Sequence, residues 1–415
     1  MFKKVYLDNG IPLVMEKVEG VRSVAVGIWV KVGARFEAPG KNGISHFVEH
    51  MFFKGTKNRS QKAIAIEIDS LGGDLNAFTS RESTTFYVKL LSDYVEKGVD
   101  VLADIFFNSL FKEEDIEKEQ EIITEEIMMV EDTPDDYIHD LFYQDIWGLE
   151  GLGMPVLGTK ETVLSFGRED LLTHIASYYC HDDVVISCAG NIDFDGYLRM
   201  FNDKFGAAKS LCPKSKNMSL STFGTALKVY EKDHSEVHMC IGVKGVKQDS
   251  ELRYPFLVLN TIFGSGVSSR LFQEVRETRG LVYTIYSFLS SYHDTGVFAV
   301  YAGAGRKKYV EVIETVIKEM ASLKETITDK EIERAKNQIK GNMLMSLESS
   351  SGRMHNIARQ EIYYGRYYPP EEIISGIEKV LKSDVAGIID TFLSTGGKAV
   401  TVLGPAKAEE LSGIV

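Results

Sequence analysis

The sequence predicts an α+β fold of two homologous domains, each an antiparallel-rich mixed sheet with helices packed on one face. Its 415 residues are enough for two or three domains. The two halves repeat one order of strand and helix patterns, which indicates a duplicated unit. A polar stretch that contains proline and glycine separates them. We therefore predict a first domain over 1–210, a linker over 211–224 and a second domain over 225–415.

The repeated order is read from the period of the apolar residues. Each half begins with an apolar strand pattern, continues with a helix and further strands, then a long helix, and ends with a strand pattern. The matching segments are 24–32 and 237–243 for the opening strand, 46–53 and 256–263 for the helix, 84–91 and 296–302 for a later strand, and 184–189 and 399–403 for the last strand.

Composition excludes several classes of protein. Apolar residues make up 44% of the chain, and 60 acidic against 47 basic residues give a net charge of −13, so nucleic acid is not an expected partner. No run of 18 apolar residues suggests a membrane span. The first residues resemble a strand, a turn and another strand and not a signal peptide.

The cysteines form no CxxC pair, and we expect reduced thiols in a cytoplasmic protein. They are Cys180, Cys188, Cys212 and Cys240.

The most informative motif is the pentad at residues 46–50, His-Phe-Val-Glu-His. Apolar residues around it recur at helical spacing, which leaves His46, Glu49 and His50 on the remaining face. Two imidazoles one helical turn apart can reach one metal ion, and Glu49 can take a proton from a water held there. This is the H-x-x-E-H pattern of one class of zinc peptidases. A chance match on a surface helix is the alternative, so a third ligand is required.

Residues 113–131 supply the best candidate for that ligand. The segment has a helical period with apolar residues on one side, at Ile116, Ile122 or Ile123, Ile127 and Val130. Glu119 and Glu126 fall on the same side, and a carboxylate turned toward a core needs a partner. We assign Glu126 as the third zinc ligand and Glu119 as the group that orients a histidine or the water. Taken alone, the segment could equally be an ordinary charged amphipathic helix.

Together these residues resemble a known family. The pentad, the following Met-Phe-Phe-Lys-Gly-Thr and the later Glu126 are similar to the pitrilysin/insulinase metallopeptidases. The resemblance covers nearly the whole chain and is strongest to the short bacterial branch similar to the mitochondrial processing peptidase beta subunit. It implies that His46, His50 and Glu126 hold zinc and that Glu49 is the general base, supported by Glu119. One Zn²⁺ per chain is expected, because residues 259–263 of the second half carry no ligands at the pentad position.

Two further segments match that family. Residues 72–80 resemble its edge strand, in which Asn76, Ala77 and Phe78 would hold the substrate as an added strand. A plain half-buried strand after a Gly-Gly turn is the alternative. In residues 264–283, the resemblance implies that Arg276 and Tyr283 contact the substrate and the developing oxyanion. From the residues alone, Arg276 and Tyr283 could also be a structural pair.

The expected function is therefore a zinc metalloendopeptidase that hydrolyses short or unfolded peptides. The resemblance further implies a homodimer in which Arg276 and Tyr283 act at the zinc of the other chain. Two alternatives stay open: a catalytically silent peptide-binding or structural subunit of a larger complex, and a metal-binding protein without peptidase activity.

Overall fold

The computed structural model of the chain describes residues 1–206, 220–394 and 396–413. They form two compact units, each made of three stretches of chain. The first unit is composed of Met1–Met128, Met154–Met218 and Ser346–Tyr367, and the second of Met129–Gly153, Ser219–Met345 and Tyr368–Val415.

Runs of strands are followed by runs of helices, the order typical of an α+β fold. The strands are Phe2–Tyr6 (β1), Pro12–Lys17 (β2), Ser23–Val30 (β3), Asp74–Thr79 (β4), Thr84–Leu91 (β5), Val184–Gly190 (β6), Leu227–Glu231 (β7), Glu236–Lys244 (β8), Val282–Ser291 (β9), Gly296–Gly305 (β10) and Lys398–Gly404 (β11). The α-helices are Ile44–Phe52 (α1), Gln61–Ser70 (α2), Val95–Asn108 (α3), Glu113–Glu131 (α4), Pro134–Trp147 (α5), Lys160–Ser165 (α6), Arg168–Tyr178 (α7), Phe194–Phe205 (α8), Arg253–Phe263 (α9), Tyr309–Thr326 (α10), Asp329–Ser346 (α11), Ser350–Tyr364 (α12), Pro370–Glu378 (α13) and Lys382–Ile388 (α14). Phe272–Thr278 and Ile389–Ser394 are π-helical.

The sheet of the first unit has the strand order β1-β2-β6-β3-β5-β4. Its pairs are antiparallel except β2 with β6, which is parallel. Side chains of a strand alternate between the two faces, so β3 directs Val26 and Ile28 into the main core with α1 and α3. The opposite face, with Trp29, packs against α12. Gly27 permits this approach, because a Cβ there would lie 2.7 Å from Met354 Sδ.

The sheet of the second unit has the order β7-β11-β8-β10-β9, in which β7 and β11 are parallel. The strands correspond one to one with β2-β6-β3-β5-β4 of the first unit, so the topology is duplicated. One face packs on the second core with α9 and α10. The other face is covered by α5, whose Phe142 lies among Cys240, Ala299 and Ala399. The predicted α+β fold with two homologous units is confirmed.

Each unit includes a helix from the other half of the chain. Helix α5 precedes residue 210 in the sequence and packs in the second unit, while α12 follows residue 225 and packs in the first. The predicted domains are continuous in sequence and do not include this arrangement. The apolar face of a helix predicts that it is buried, but not which sheet it packs on. Of the predicted linker, residues 211–219 lie outside the described residues, and 220–224 have no regular secondary structure.

One expectation about the cysteines is wrong. Cys188 and Cys240 are buried free thiols, but Cys180 is disulfide-bonded. The prediction of four reduced thiols failed because cysteine spacing does not report which side chains meet in space. None of the described helices has both the length and the apolar content required to cross a bilayer.

Candidate active site

Helix α1 presents the pentad because its other sides are apolar and buried. Ile44, Phe47 and Met51 are at most 3% exposed in the first core. The helix starts after Gly43, whose φ of 91° lies in the left-handed region that favours glycine. A Cβ at Gly43 would lie 2.5 Å from the carbonyl oxygen of Leu157, so a larger residue would displace this helix start.

Three side chains from α1 and α4 converge at one point of the first unit. His46 Nε2 and His50 Nε2 each lie 3.8 Å from the same oxygen, Glu126 Oε2. All three ligand atoms fall within 4.8 Å of one another, and no other such group of His, Cys, Asp and Glu occurs in the described residues. A tetrahedral zinc ion with bonds of about 2.1 Å separates its ligands by roughly 3.4 Å. Two imidazole nitrogens and one carboxylate therefore fit zinc after small adjustments.

The two histidines have different surroundings. Burial, with a contribution from the neighbouring His50, lowers the pKa of His46 to about 3, which keeps its ring in the neutral form that binds metals. His50 Nδ1 lies 2.9 Å from Glu119 Oε2, and the other Glu119 oxygen lies 2.5 Å from Lys54 Nζ. Despite the opposing effect of burial, His50 and Lys54 lower the pKa of Glu119. An ionised Glu119 can thus fix the orientation of the His50 ring.

Helix α4 occupies the bounds predicted from its period, 113–131. Its buried stripe contains Ile116, Ile123 and Ile127, whereas Ile122 is 46% exposed and lies outside it. Of the two acids predicted on the stripe, Glu119 is buried. The Glu126 side chain is 35% exposed at the edge of the stripe, where it can reach both a bound ion and solvent.

Glu49 is on α1, three residues after His46 and directly before His50, and its carboxylate contacts the end of β4. Thr79 Oγ1 donates a hydrogen bond of 2.5 Å to Glu49 Oε2. Burial raises the pKa of the Glu49 carboxyl, against the lowering effect of the Thr79 hydrogen bond and of His50. A raised pKa makes the carboxylate a stronger base, which suits proton transfer near neutral pH.

The strand β4 is an edge strand of its sheet. It pairs with β5 on one side and ends the strand order, so no described strand pairs with its outer side. Asn76 Oδ1 accepts a hydrogen bond from the Ala77 N–H at 2.8 Å. The Phe78 ring packs edge-on to Trp29, 5.7 Å away, and also contacts His355. Phe78 therefore anchors the strand through its ring contacts, and the outer backbone edge of β4 pairs with no described strand.

Arg276 and Tyr283 lie in the second unit. Arg276 is in the π-helical segment, and its guanidinium stands 5.1 Å from the Tyr283 ring centre and 4.6 Å from that of Phe272. Such contacts hold a guanidinium against an aromatic ring. Tyr283 is on β9, the edge strand of the second sheet, and is 77% exposed. The structure therefore brings Arg276 and Tyr283 together and leaves the phenol accessible.

Thr79 and Lys54 contact Glu49 and Glu119, although neither is among the predicted site residues. Strand alternation puts Thr79 on the same face of β4 as Ala77, which packs against the first core. Lys54 lies two residues beyond the last residue of α1, close enough in sequence for its side chain to return to the end of that helix. Both positions can be read from the sequence, but they predict a contact only when the neighbouring element is known.

The chain is similar to known proteins over nearly its whole length. The profile described as Insulinase (Peptidase family M16) matches residues 13–160, and Peptidase M16 inactive domain matches 165–339. The Bacillus subtilis protein named uncharacterized zinc protease YmxG is 40% identical over 98% of this chain and 99% of its own length. A protease from Helicobacter pylori has a TM-score of 0.90 at 21% identity, with 97% and 99% of the two chains covered. A chain of Complex III2 from Candida albicans has a TM-score of 0.84 at 20% identity, with 100% and 97% covered. The chain belongs to the insulinase family of peptidases, family M16.

Proposed function

We propose that the chain is a zinc-dependent endopeptidase that hydrolyses short or unfolded peptides, with one Zn²⁺ per chain. The observation that carries this is the convergence of His46, His50 and Glu126, with Glu49 beside them. Family membership and the zinc-protease name of the Bacillus subtilis relative support it.

In this proposal each residue has a distinct task. Zinc supplies Lewis-acid polarisation and lowers the pKa of a bound water toward about 7. Glu49 accepts the proton of the attacking water and returns it to the leaving amine. Thr79 fixes the Glu49 carboxylate through its hydrogen bond. The outer backbone edge of β4, near Asn76, Ala77 and Phe78, aligns the peptide as an added strand.

The proposal extends to a homodimer with a shared site. Tyr283 and Arg276 would stabilise the oxyanion of the substrate that is bound to the partner chain. The accessible Tyr283 phenol and its contact with Arg276 support this role.

Chains that carry Glu49→Gln can be mixed with chains that carry Tyr283→Phe. Activity should reappear in the mixture, because one kind of mixed site combines both intact groups. If activity does not reappear in mixtures proven to contain mixed dimers, a shared site is ruled out.

The direct test of the proposed activity uses one substitution. Wild type and Glu49→Gln are compared for metal content and for digestion of a mixed library of unfolded peptides. We expect equal zinc content and a loss of cleavage of at least a hundredfold in Glu49→Gln, since the base is removed and the ligands remain. Equal cleavage by both proteins would refute the role of Glu49. An intact folded domain and its denatured form, offered as substrates, test the preference for unfolded chains.

A second candidate is a catalytically silent subunit that binds peptides. The match of residues 165–339 to a domain described as inactive, and the fold shared with a chain of Complex III2, favour it. The complete set of His46, Glu49, His50 and Glu126 favours the enzyme. Zinc binding without any peptide cleavage would support the silent subunit.

A further inference from the structure

The segment Gly33–Glu37 links β3 to the loop before α1 and carries two buried charges. Arg35 is 4% exposed and Glu37 is 6% exposed. Arginine and glutamate are almost never this buried unless they are paired. The partner of Arg35 lies in the turn that follows β4, and the partners of Glu37 lie at the start of α1.

Arg35 holds the turn that follows the substrate strand. Its Nη1 donates a hydrogen bond of 2.6 Å to Glu82 Oε1, an ion pair in which both side chains are at most 2% exposed. The Arg35 N–H donates to the carbonyl oxygen of Arg81 at 2.8 Å, and the Ala34 N–H donates to that of Ser80 at 3.2 Å. These contacts fix the turn between β4 and β5 directly after the last residue of β4.

Glu37 holds the start of α1. Its Oε1 accepts from the Ser45 N–H at 2.8 Å, and its Oε2 accepts from the Gly43 N–H at 2.8 Å and the Asn42 Nδ2 at 3.0 Å. Gly43 has no side chain to cap the helix, so Glu37 satisfies N–H groups that the first turn leaves unpaired. Burial raises the pKa of the Glu37 carboxyl to about 7, and the three donors oppose that rise.

One short segment thus contacts both elements that must align. Helix α1 carries Glu49, and β4 ends at Thr79, and these two residues meet in a single hydrogen bond. A misplacement of about 1 Å in such a site can reduce the rate about a hundredfold. We propose that Arg35 and Glu37 are positioning residues, which hold the end of the substrate strand and the start of the ligand helix in register. The proposal rests on the proposed function for the roles of that strand and helix.

A purely structural role is the competing explanation, and the chain offers a matched control. Glu16 is 4% exposed and belongs to the same unit. Its Oε1 lies 2.5 Å from Nη1 of Arg353 on α12. Glu16→Gln therefore removes a buried carboxylate that does not contact α1 or the β4–β5 turn. Its loss of stability measures what a buried carboxylate contributes in an ion pair with the partly buried Arg353.

The experiment compares wild type, Glu37→Gln, Arg35→Lys and Glu16→Gln by three readouts. The first is amide hydrogen exchange at Gly43 and Ser45. The second is the visible spectrum of the Co²⁺-loaded protein, together with the Zn²⁺ dissociation constant. The third is kcat and KM for a cleaved peptide. The first two do not depend on peptidase activity, so failure of the proposed function and failure of the positioning role are distinguishable.

We expect Glu37→Gln to speed exchange at Gly43 and Ser45 at least tenfold and to change the Co²⁺ spectrum. Zn²⁺ binding should weaken about tenfold to a hundredfold, because support of a ligand helix is lost. In both Glu37→Gln and Arg35→Lys, kcat should fall about tenfold or more with little change in KM. Glu16→Gln should retain all of these properties even if its melting temperature falls.

Two results would overturn the positioning role. One is a Glu37→Gln protein with the native Co²⁺ spectrum, Zn²⁺ affinity and amide exchange. The other is a Glu16→Gln protein that loses them to the same extent. If Glu37→Gln does not fold, Arg35→Lys decides through amide exchange at residues 79–83, which should be faster than in Glu16→Gln; equal exchange in the two proteins would overturn the role of Arg35.

Discussion

The Thr79 hydroxyl donates a hydrogen bond of 2.5 Å to the Glu49 carboxylate, which joins the edge strand β4 to the helix α1. Thr79 is the last residue of the strand that we propose as the peptide platform. Glu49 is the proposed base. The contact therefore ties the orientation of the base to the strand on which the substrate would lie.

Thr79→Val removes this hydrogen bond with little change in shape. We expect kcat to fall about tenfold, because the carboxylate loses the group that orients it. Zinc content should stay at the wild-type level, since Thr79 contacts no predicted ligand. Steady-state kinetics and metal analysis measure both quantities. Thr79→Ser keeps the hydroxyl and is the control, and an equal loss of kcat in Thr79→Ser would argue against the hydrogen bond.

Glu119→Gln removes the charge that faces His50 and Lys54. We expect Zn²⁺ binding to weaken about tenfold to a hundredfold, because the His50 ring loses its charged partner. Competition with a chelator gives the dissociation constant. Glu117→Gln changes an exposed acid of the same helix and should leave it unchanged. A wild-type Zn²⁺ dissociation constant in Glu119→Gln would show that Glu119 does not support metal binding.

Removal of zinc should destabilise the first unit selectively. His46, His50 and Glu126 all lie in that unit, and a ligand stabilises the folded form that binds it. At a free zinc concentration of about 100 times the dissociation constant, the effect is about 2.7 kcal/mol. Amide hydrogen exchange in α1 and α4, which carry the three side chains, should be faster with a chelator than without it. A uniform change across both units would contradict this prediction.

The ion pair of Arg270 and Glu331 should make the second unit sensitive to acid. Burial opposes ionisation, yet hydrogen bonds from Arg270 and Thr328 hold the pKa of Glu331 at about 2. A depressed pKa stabilises the fold above the unfolded value of about 4.5, and this stability is lost as pH falls toward 2.

Urea unfolding of Glu331→Gln between pH 3 and 6 checks this ion pair. Its free energy of unfolding should fall less steeply below about pH 4.5 than that of wild type. The exposed Glu371→Gln should keep the wild-type slope. A slope in Glu331→Gln equal to that of wild type would show that the pair does not contribute.

The sequence was most informative where one element decides the geometry. The spacing of His46, Glu49 and His50 was sufficient to predict that they share one face of α1, because residues three or four apart on a helix are neighbours. The period of residues 113–131 likewise predicted the bounds of α4. The segments around β3, β5 and β6 also emerged from apolar periodicity, to within a few residues.

Contacts between distant elements could not be predicted in this way. The contact of Thr79 with Glu49 and the cap that Glu37 provides depend on the path of the chain between β3 and α1. The packing of α5 and α12 on the sheet of the other half depends on tertiary structure, since an apolar face specifies burial and not a partner. The disulfide of Cys180 was missed for the same reason.

The most direct test of the central claim is the position of zinc in crystals of the protein, located by anomalous scattering at the zinc absorption edge. We predict a single peak per chain in the first unit, about 2.0–2.2 Å from His46 Nε2, His50 Nε2 and a carboxylate oxygen of Glu126. A peak elsewhere, or a Glu126 carboxylate turned away from the metal, would contradict it.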